Sequence, residues 1–328
     1  RLVPAPKRGD VLKIVGDMML ERKDEIAHEM TREMGKVFAE TKGDVQEGID
    51  TAYYAASEGR RLFGMNAPSE LPNKMNLSFR VPIGVGGFIT PWNFPMAIPT
   101  WKMFPALVCG NTCVFKPAEL TPKTAAILVE IIDAAMRQEL GKDYIPGVIN
   151  IVHGKGRIVG EAITNHPDVD LISFTGSTAV GKRINEVAGK ELKRVSLELG
   201  GKNAQIVMAD ASIDLAIEAV LWGAFGTTGQ RCTATSRLIL HKDIHDDFVK
   251  KLVEKASKLR LGYGNDKGVD VGPCVSESQR ETVNNYVKIA RDEDKATLAL
   301  GGDYAKEGDL SKGWFYKPTI FTGVTPEM

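Results

Sequence analysis

The 328 residues carry 42 basic and 42 acidic side chains, a balance that leaves no electrostatic footprint for nucleic acid or an anionic membrane surface. A chain of this length can bury a large core and, at roughly 150 residues per domain, form about two domains. Four cysteines, Cys109, Cys113, Cys232 and Cys274, are too few and too scattered for a disulfide framework, which fits a reducing compartment and makes the cytoplasm the expected location.

No apolar run approaches the ~18 residues of a membrane helix, and no charged-then-apolar leader opens the chain. The sequence begins at Arg1 rather than Met and stops at Met328 in what reads as a turn after a strand, so it reads as cut at both ends. Residues 10–64 have helical periodicity: Val11, Ile14, Val15, Met18 and Met19 share one face. Val45, Ile49, Ala52 and Ala56 repeat the pattern after Asp44, an expected N-cap, and Gly64 ends the stretch. Pro68, Pro72 and Asn73 interrupt the pattern ahead of the alternating run Met75 to Phe79, which reads as a β-hairpin arm over 66–81.

From Val81 the pattern becomes strand, glycine turn, helix. Strands are expected at 83–90, 112–116, 148–152, 171–174 and 195–199, with helices to Cys109, over 121–140, near 158–164 and over 178–188. Such alternation implies a parallel sheet covered on both faces. A further series follows Ala204, with strands at 205–208 and 238–241 and helices at 213–224 and 246–259. The domain boundary is placed near Gly200-Gly201. The organisation is therefore 1–65 with 82–199 as one α/β domain, 66–81 as an arm, and 200–328 as a second α/β domain.

Ligands of parallel sheets bind at the carboxyl ends of strands, which directs attention to the loops there. In Thr90-Pro91-Trp92-Asn93-Phe94-Pro95, Asn93 is an amide in apolar company, suited to an oxyanion donor and equally to a turn. In Phe115-Lys116-Pro117-Ala118-Glu119, Lys116 and Glu119 could hold a ribose diol or lie on the surface. Gly154-Lys155-Gly156 and Phe174-Thr175-Gly176-Ser177 each open a helix whose free N–H groups favour phosphate, although neither is a strict dinucleotide fingerprint. Gly181-Lys182-Arg183 lacks the hydroxyl of a P-loop, and the dispersed histidines and Cys109/Cys113 give no metal-ligand pattern, so no metal is expected. Cys232 lies in Gly229-Gln230-Arg231-Cys232-Thr233-Ala234, beyond Leu197-Glu198-Leu199-Gly200-Gly201-Lys202-Asn203. A thiol with a carboxylate upstream in a glycine-hinged turn points to covalent chemistry at sulfur followed by base-assisted attack of water.

Taken in order, these segments resemble the aldehyde dehydrogenase superfamily over essentially the whole chain: the Trp92-Asn93-Phe94-Pro95 loop, Lys116 with Glu119, the Phe174 to Ser177 turn, Glu198 to Lys202, and Gly229 to Cys232. The resemblance implies a Rossmann-like parallel-sheet cofactor domain, an α/β catalytic domain whose C-terminal part is missing, and a small β-hairpin oligomerisation arm. It implies NAD-dependent oxidation of an aldehyde to an acid through a cysteine thiohemiacetal and thioester, in a homodimer or homotetramer. Cys232 corresponds to the nucleophile, Glu198 to the general base, which needs apolar surroundings to raise its pKa, and Asn93 to the oxyanion donor. Ile89, Thr90, Pro91, Trp92, Lys116, Ala118, Glu119, Gly156, Phe174, Gly176, Ser177 and Leu199 correspond to cofactor-binding positions. Glu119 favours NAD over NADP, since a carboxylate repels a 2′-phosphate. Phe94, Ile98, Trp101, Arg231 and Thr233 fall where the family lines its substrate pocket, although Phe94, Ile98 and Trp101 suit helix packing equally well.

The family's second glutamate, in a glutamate-x-phenylalanine-glycine-proline segment, lies beyond the end of this sequence, and little turnover is expected of the 328 residues alone. Two alternatives stay open: a CoA-acylating member, against which Glu198 counts, and a non-catalytic relative or binding protein with the same fold. Arg231 suits a semialdehyde carboxylate or a structural contact.

Overall fold

The helical periodicity at the start of the chain becomes three helices in the computed structural model, which describes residues 3–328: α1 (Ala5–Glu21), α2 (Lys23–Met34) and α3 (Phe38–Glu58). A hairpin follows, β1 (Asn66–Pro68) antiparallel to β2 (Met75–Leu77). Strand and helix then alternate through β3 (Val85–Ile89), α4 (Ala97–Val108), β4 (Thr112–Lys116), α5 (Pro122–Leu140), β5 (Ile149–Ile151), α6 (Glu161–Asn165), β6 (Leu171–Thr175), α7 (Thr178–Lys190) and β7 (Arg194–Glu198). The remainder comprises β8 (Asn203–Val207), α8 (Ile213–Phe225), β9 (Thr235–Leu240), α9 (His245–Ala256), α10 (Glu277–Lys288), β10 (Thr297–Leu300) and β11 (Ile320–Thr322). Among the described residues no helix is long and apolar enough to cross a membrane.

The chain divides into two compact units, one formed by the residues up to Glu29 with Lys42–Leu199, the other by Met30–Thr41 with Gly200–Met328. The 30–41 segment, expected with the first unit, thus groups with the second. The reason is bonding to distant residues: the Phe38 N–H donates to the Gly264 carbonyl at 2.8 Å, and Gly35, at φ +82°, lies against Pro273.

In the first unit the strands form one parallel sheet in the order β5-β4-β3-β6-β7. The chain builds outward from β3 to β4 and β5, then returns to place β6 on the other side of β3. That reversal is the switch point at which the loops leaving β3 and β6 part to opposite faces and open a crevice. Ile89, Ile172 and Phe174 on the strands pack with Ile163, Val169, Ile184 and Ala188 to form the core on one side of this sheet. In the second unit β8 runs parallel to β9, and Val207, Ile217, Val220, Phe248 and Leu252 make a core with α8 and α9. A smaller cluster of Cys274, Val287 and Tyr316 lies by the antiparallel pair β10 and β11.

Asp44 corrects one expectation. Rather than capping its own helix it lies inside α3, buried, where its Oδ1 accepts the N–H of Ala97, the first residue of α4, at 2.7 Å. Helix N-termini leave N–H groups unbonded and carry partial positive charge, and a buried carboxylate answers both. Asp44→Ala should therefore destabilise the chain by about 1–3 kcal/mol, the cost of an orphaned buried donor, with Asp44→Asn losing less. A lower urea midpoint for the alanine variant checks this; an unchanged midpoint contradicts it.

Lys102 on α4 is partly buried, and its Nζ donates to the Ser173 hydroxyl on β6 at 3.0 Å. Burial pushes its pKa down to about 8, against the opposing pull of the Glu198 carboxylate. The folded chain therefore releases this proton near pH 8 while the unfolded chain keeps it until near 10.5, the ordinary value. Between those limits the unfolded state binds more protons, so this group makes stability rise with pH. Lys102→Met should remove that rise, read as the difference in Tm between variant and parent from pH 7.5 to about 10.5. A constant difference across that range would contradict it.

Candidate active site

Strand register in the first unit gathers the predicted cofactor residues at one end of the sheet. Ile89 on β3 pairs with Lys116 on β4 and with Phe174 on β6, and Thr175 pairs with Glu198 on β7. The backbone continues the pairing beyond the strands: the Thr90 N–H donates to the Lys116 carbonyl at 3.2 Å, and the Gly176 N–H to the Glu198 carbonyl at 3.0 Å. Pro91, Trp92, Asn93 and Phe94, all partly buried, follow on the loop into α4.

Lys116 is buried, with its Nζ donating to the Pro117 carbonyl at 2.8 Å; burial lowers its pKa, and the exposed Glu119 carboxylate opposes that shift. Ala118 lies between them, partly exposed. Ser177 is the N-cap of α7, its side-chain oxygen accepting from the Val180 N–H at 3.4 Å. Two glycines are required by close approach. A Cβ on Gly176 would sit 2.5 Å from the Phe174 ring, and one on Gly181 would sit 2.4 Å from Leu199, so α7 lies tightly on the end of β7. Gly156 begins a widened helical turn through Gly160 that leads into α6, with open space where its Cβ would be.

Two buried hydroxyl oxygens at this end, on Thr90 and Thr175, have no hydrogen-bond partner among the described residues. Buried polar atoms are normally paired, so these two are groups available to a ligand. With a helix N-terminus at Ser177 and a carboxylate at Glu119, the donor set fits a dinucleotide: hydroxyls and N–H groups for phosphate, an acceptor for a ribose diol.

Glu198 ends the edge strand β7 and is exposed. Of the residues expected in a substrate pocket, Ile98 is buried at 3 % exposure in α4 and Trp101 is 46 % exposed.

In the second unit Cys232 lies on the loop between α8 and β9, and its residue is exposed. The other thiols differ. Burial raises the pKa of Cys113 far above the usual range, pushes that of Cys274 up to about 11, and raises that of Cys109. Thiolates are disfavoured at all three, which leaves Cys232 as the reactive candidate. Its carbonyl accepts from the Asn203 side-chain amide at 2.7 Å, and the same amide reaches the Ala234 carbonyl at 3.3 Å. The sequence displayed Asn203 only as the end of a glycine-rich segment; its bond to the cysteine loop needed the β8-β9 pairing, which brings Asn203 opposite Thr235.

Arg231 departs from the expected pocket position. Its guanidinium is ion-paired with Glu40 at 2.7 Å, stacks on Trp222 at 4.0 Å and is 6 % exposed. The group is committed inside its own unit, because a buried guanidinium is retained only where its charge and donors are met. Thr233 beside Cys232 is exposed.

The model of the aldehyde dehydrogenase family matches residues 1–328. An alpha-ketoglutarate semialdehyde dehydrogenase of Haloferax volcanii is 42% identical over 328 residues, covering 100% of this chain and 66% of that protein. A 2,5-dioxopentanoate dehydrogenase of Saccharolobus solfataricus is 42% identical over 327 residues, covering 99% and 66%. The chain thus spans just under two thirds of the length of these relatives. Among solved structures, betaine aldehyde dehydrogenase of Staphylococcus aureus in complex with NAD+ superposes with a TM-score of 0.95 at 33% identity, over 99% of this chain and 65% of that one. On the match along its whole length, the chain belongs to the aldehyde dehydrogenase family.

Proposed function

We propose that the protein oxidises an aldehyde to the carboxylic acid with NAD, using Cys232 as nucleophile. The observation that carries this reading is the contrast among the thiols: Cys232 is exposed, while burial raises the pKa of the other three. Attack by the Cys232 thiolate forms a carbon–sulfur bond and moves the carbonyl electron pair to oxygen. We assign the side-chain amide of Asn93 and the backbone N–H of Cys232 to that oxyanion, as donors fixed before the charge develops. When bound, NAD+ supplies the acceptor for the hydride that the carbon gives up. The acyl group is then held on the Cys232 sulfur as a thioester. Glu198 takes a proton from the water that attacks it, and the thiolate leaves as the acid forms.

For the cofactor we assign Thr90 and Ser177, with the turn at Gly176, to the phosphates, and Lys116 with Glu119 to the adenosine ribose. Ile89, Pro91, Trp92, Ala118, Gly156, Phe174 and Leu199 complete the surroundings. The Glu119 carboxylate supports NAD rather than NADP. The hairpin presents Met75, Leu77 and Phe79 to solvent, which supports its assignment as a surface for a second copy of the chain. For the substrate we infer a semialdehyde, supported by the names of the Haloferax and Saccharolobus relatives. Its carboxylate is not assigned to Arg231, whose charge is already met by Glu40.

In the full-length protein, Glu198→Gln should lower steady-state NADH formation by about 100-fold and accumulate an acyl adduct on Cys232 visible by intact mass; undiminished turnover would remove Glu198 from its role. On a panel of aldehydes given to the full-length protein, dicarboxylic semialdehydes should exceed simple aliphatic aldehydes in kcat/KM by about tenfold or more. Equal constants would contradict the substrate class.

A further inference from the structure

The turn that precedes Cys232 is held in a conformation its sequence resists. Thr227 (φ 52°, ψ 30°), Thr228 (φ 58°, ψ 33°) and Gly229 (φ 69°) are three successive residues in the left-handed region. Glycine enters that region freely, whereas a β-branched residue does so only where its surroundings compel it. The compelling group at Thr227 is the carboxylate of Glu40, 187 residues earlier in the sequence and a member of the same compact unit.

Both oxygens of Glu40 accept the Thr227 N–H, at 3.0 and 2.9 Å, and one of them also accepts the Thr227 hydroxyl at 3.1 Å. Arg231 closes the ring. Its Nη2 donates to Glu40 at 2.7 Å and its Nε to the Thr227 hydroxyl oxygen at 3.0 Å. Gly226 makes the room, since a Cβ there would lie 2.4 Å from the guanidinium and 2.9 Å from the Glu40 oxygen. The pair is enclosed, with side chains 6 % and 15 % exposed. Two further ties hold the turn from elsewhere in the unit: the Thr228 hydroxyl donates to the Gly272 carbonyl at 2.9 Å, and the Gln230 Oε1 accepts the Val275 N–H at 3.1 Å. The carboxylate is a charged acceptor, and it binds both the strained turn and the residue before the cysteine.

We propose that Glu40 is a positioning residue for Cys232. By clamping Thr227 and Arg231 together it fixes the backbone that enters the cysteine, and hence the direction of the Cys232 N–H and thiol; Asn203 fixes the backbone that leaves it. This rests on the reading of Cys232 as nucleophile. Arg231 serves the same clamp as counter-charge and crosslink, which explains why the guanidinium of the residue before the cysteine is turned away from solvent.

The test is the pH profile of Cys232 alkylation by iodoacetamide, located by peptide mass, in the parent chain, Glu40→Ala and Glu40→Gln. The limiting rate at high pH separates positioning and access from ionisation. Glu40→Ala should move that limiting rate by about threefold or more toward the rate measured for the urea-unfolded chain, since small displacements of a positioned group have large kinetic effects. Glu40→Gln, which keeps an acceptor of the same shape for Thr227, should recover part of the change and carries the comparison if the alanine variant does not fold. Alkylation of Cys109 in the same molecules should stay the same. Limiting Cys232 rates equal to the parent in the folded variants would overturn the proposal. A separate mass measurement distinguishes this failure from that of the underlying reading: no aldehyde-dependent adduct on Cys232 sinks the nucleophile itself, whereas an adduct together with unchanged alkylation sinks only Glu40.

Discussion

The parallel pairing of β3 with β4 on one side and β6 on the other governs the first unit, because it sends the loops that follow all of these strands to the same end of the sheet. Parallel strands cannot be joined by tight turns, so each connection is a helix that returns the chain to the start of the next strand. The chemistry-bearing residues then collect at the carboxyl ends without any further instruction. Thr90, Lys116, Thr175 and Glu198 are scattered over more than a hundred positions in sequence, yet strand register alone aligns them. The same pairing leaves the Thr90 and Thr175 hydroxyls buried and without a partner among the described residues. Such atoms are costly unless something else satisfies them, which supports a polar ligand at that edge.

The second unit is organised on a different basis. Its parallel pair β8 and β9 is short, and the cysteine loop depends on side chains for its form: Glu40 and Arg231 on the entering side, Asn203 on the leaving side. Hydrogen bonds to charged groups are stronger than neutral ones and are directional, which suits them to hold backbone that no helix or sheet supports. Local strain at Thr227 and Thr228 agrees with this, since strained backbone persists only where its surroundings over-determine it.

Much of the fold was legible in the sequence because hydrophobic period and glycine turns are local signals. The strand at Thr112–Lys116 was found at its observed bounds, and the helix expected over 121–140 runs from Pro122 to Leu140, its start marked by Thr121-Pro122. What escaped was long-range. Nothing local distinguishes Asp44 from an N-cap, since the deciding partner, the Ala97 N–H, is distant in sequence. Arg231 beside the thiol looked free to meet a substrate carboxylate because Glu40 lies 191 residues away. Lys102 sits in an apolar helix face next to Trp101, where sequence alone does not separate a snorkelling lysine from one drawn inward to Ser173. The grouping of residues 30–41 with the second unit was hidden for the same reason: the segment belongs by helical pattern to its neighbours in sequence and by hydrogen bonding to Gly264.

The bond from Asp44 to Ala97 also has a mechanical side. It ties the middle of α3 to the first peptide of α4, immediately after the loop that carries Trp92, Asn93 and Phe94. A carboxylate bonded to a helix start acts as a hinge pin: displacing the C-terminal anchor of the loop ahead of α4 strains this bond unless α3 moves with it. Thermal displacement of that anchor is therefore shared with a 21-residue helix, and a heavy, well-packed body moves less than a loop end would alone.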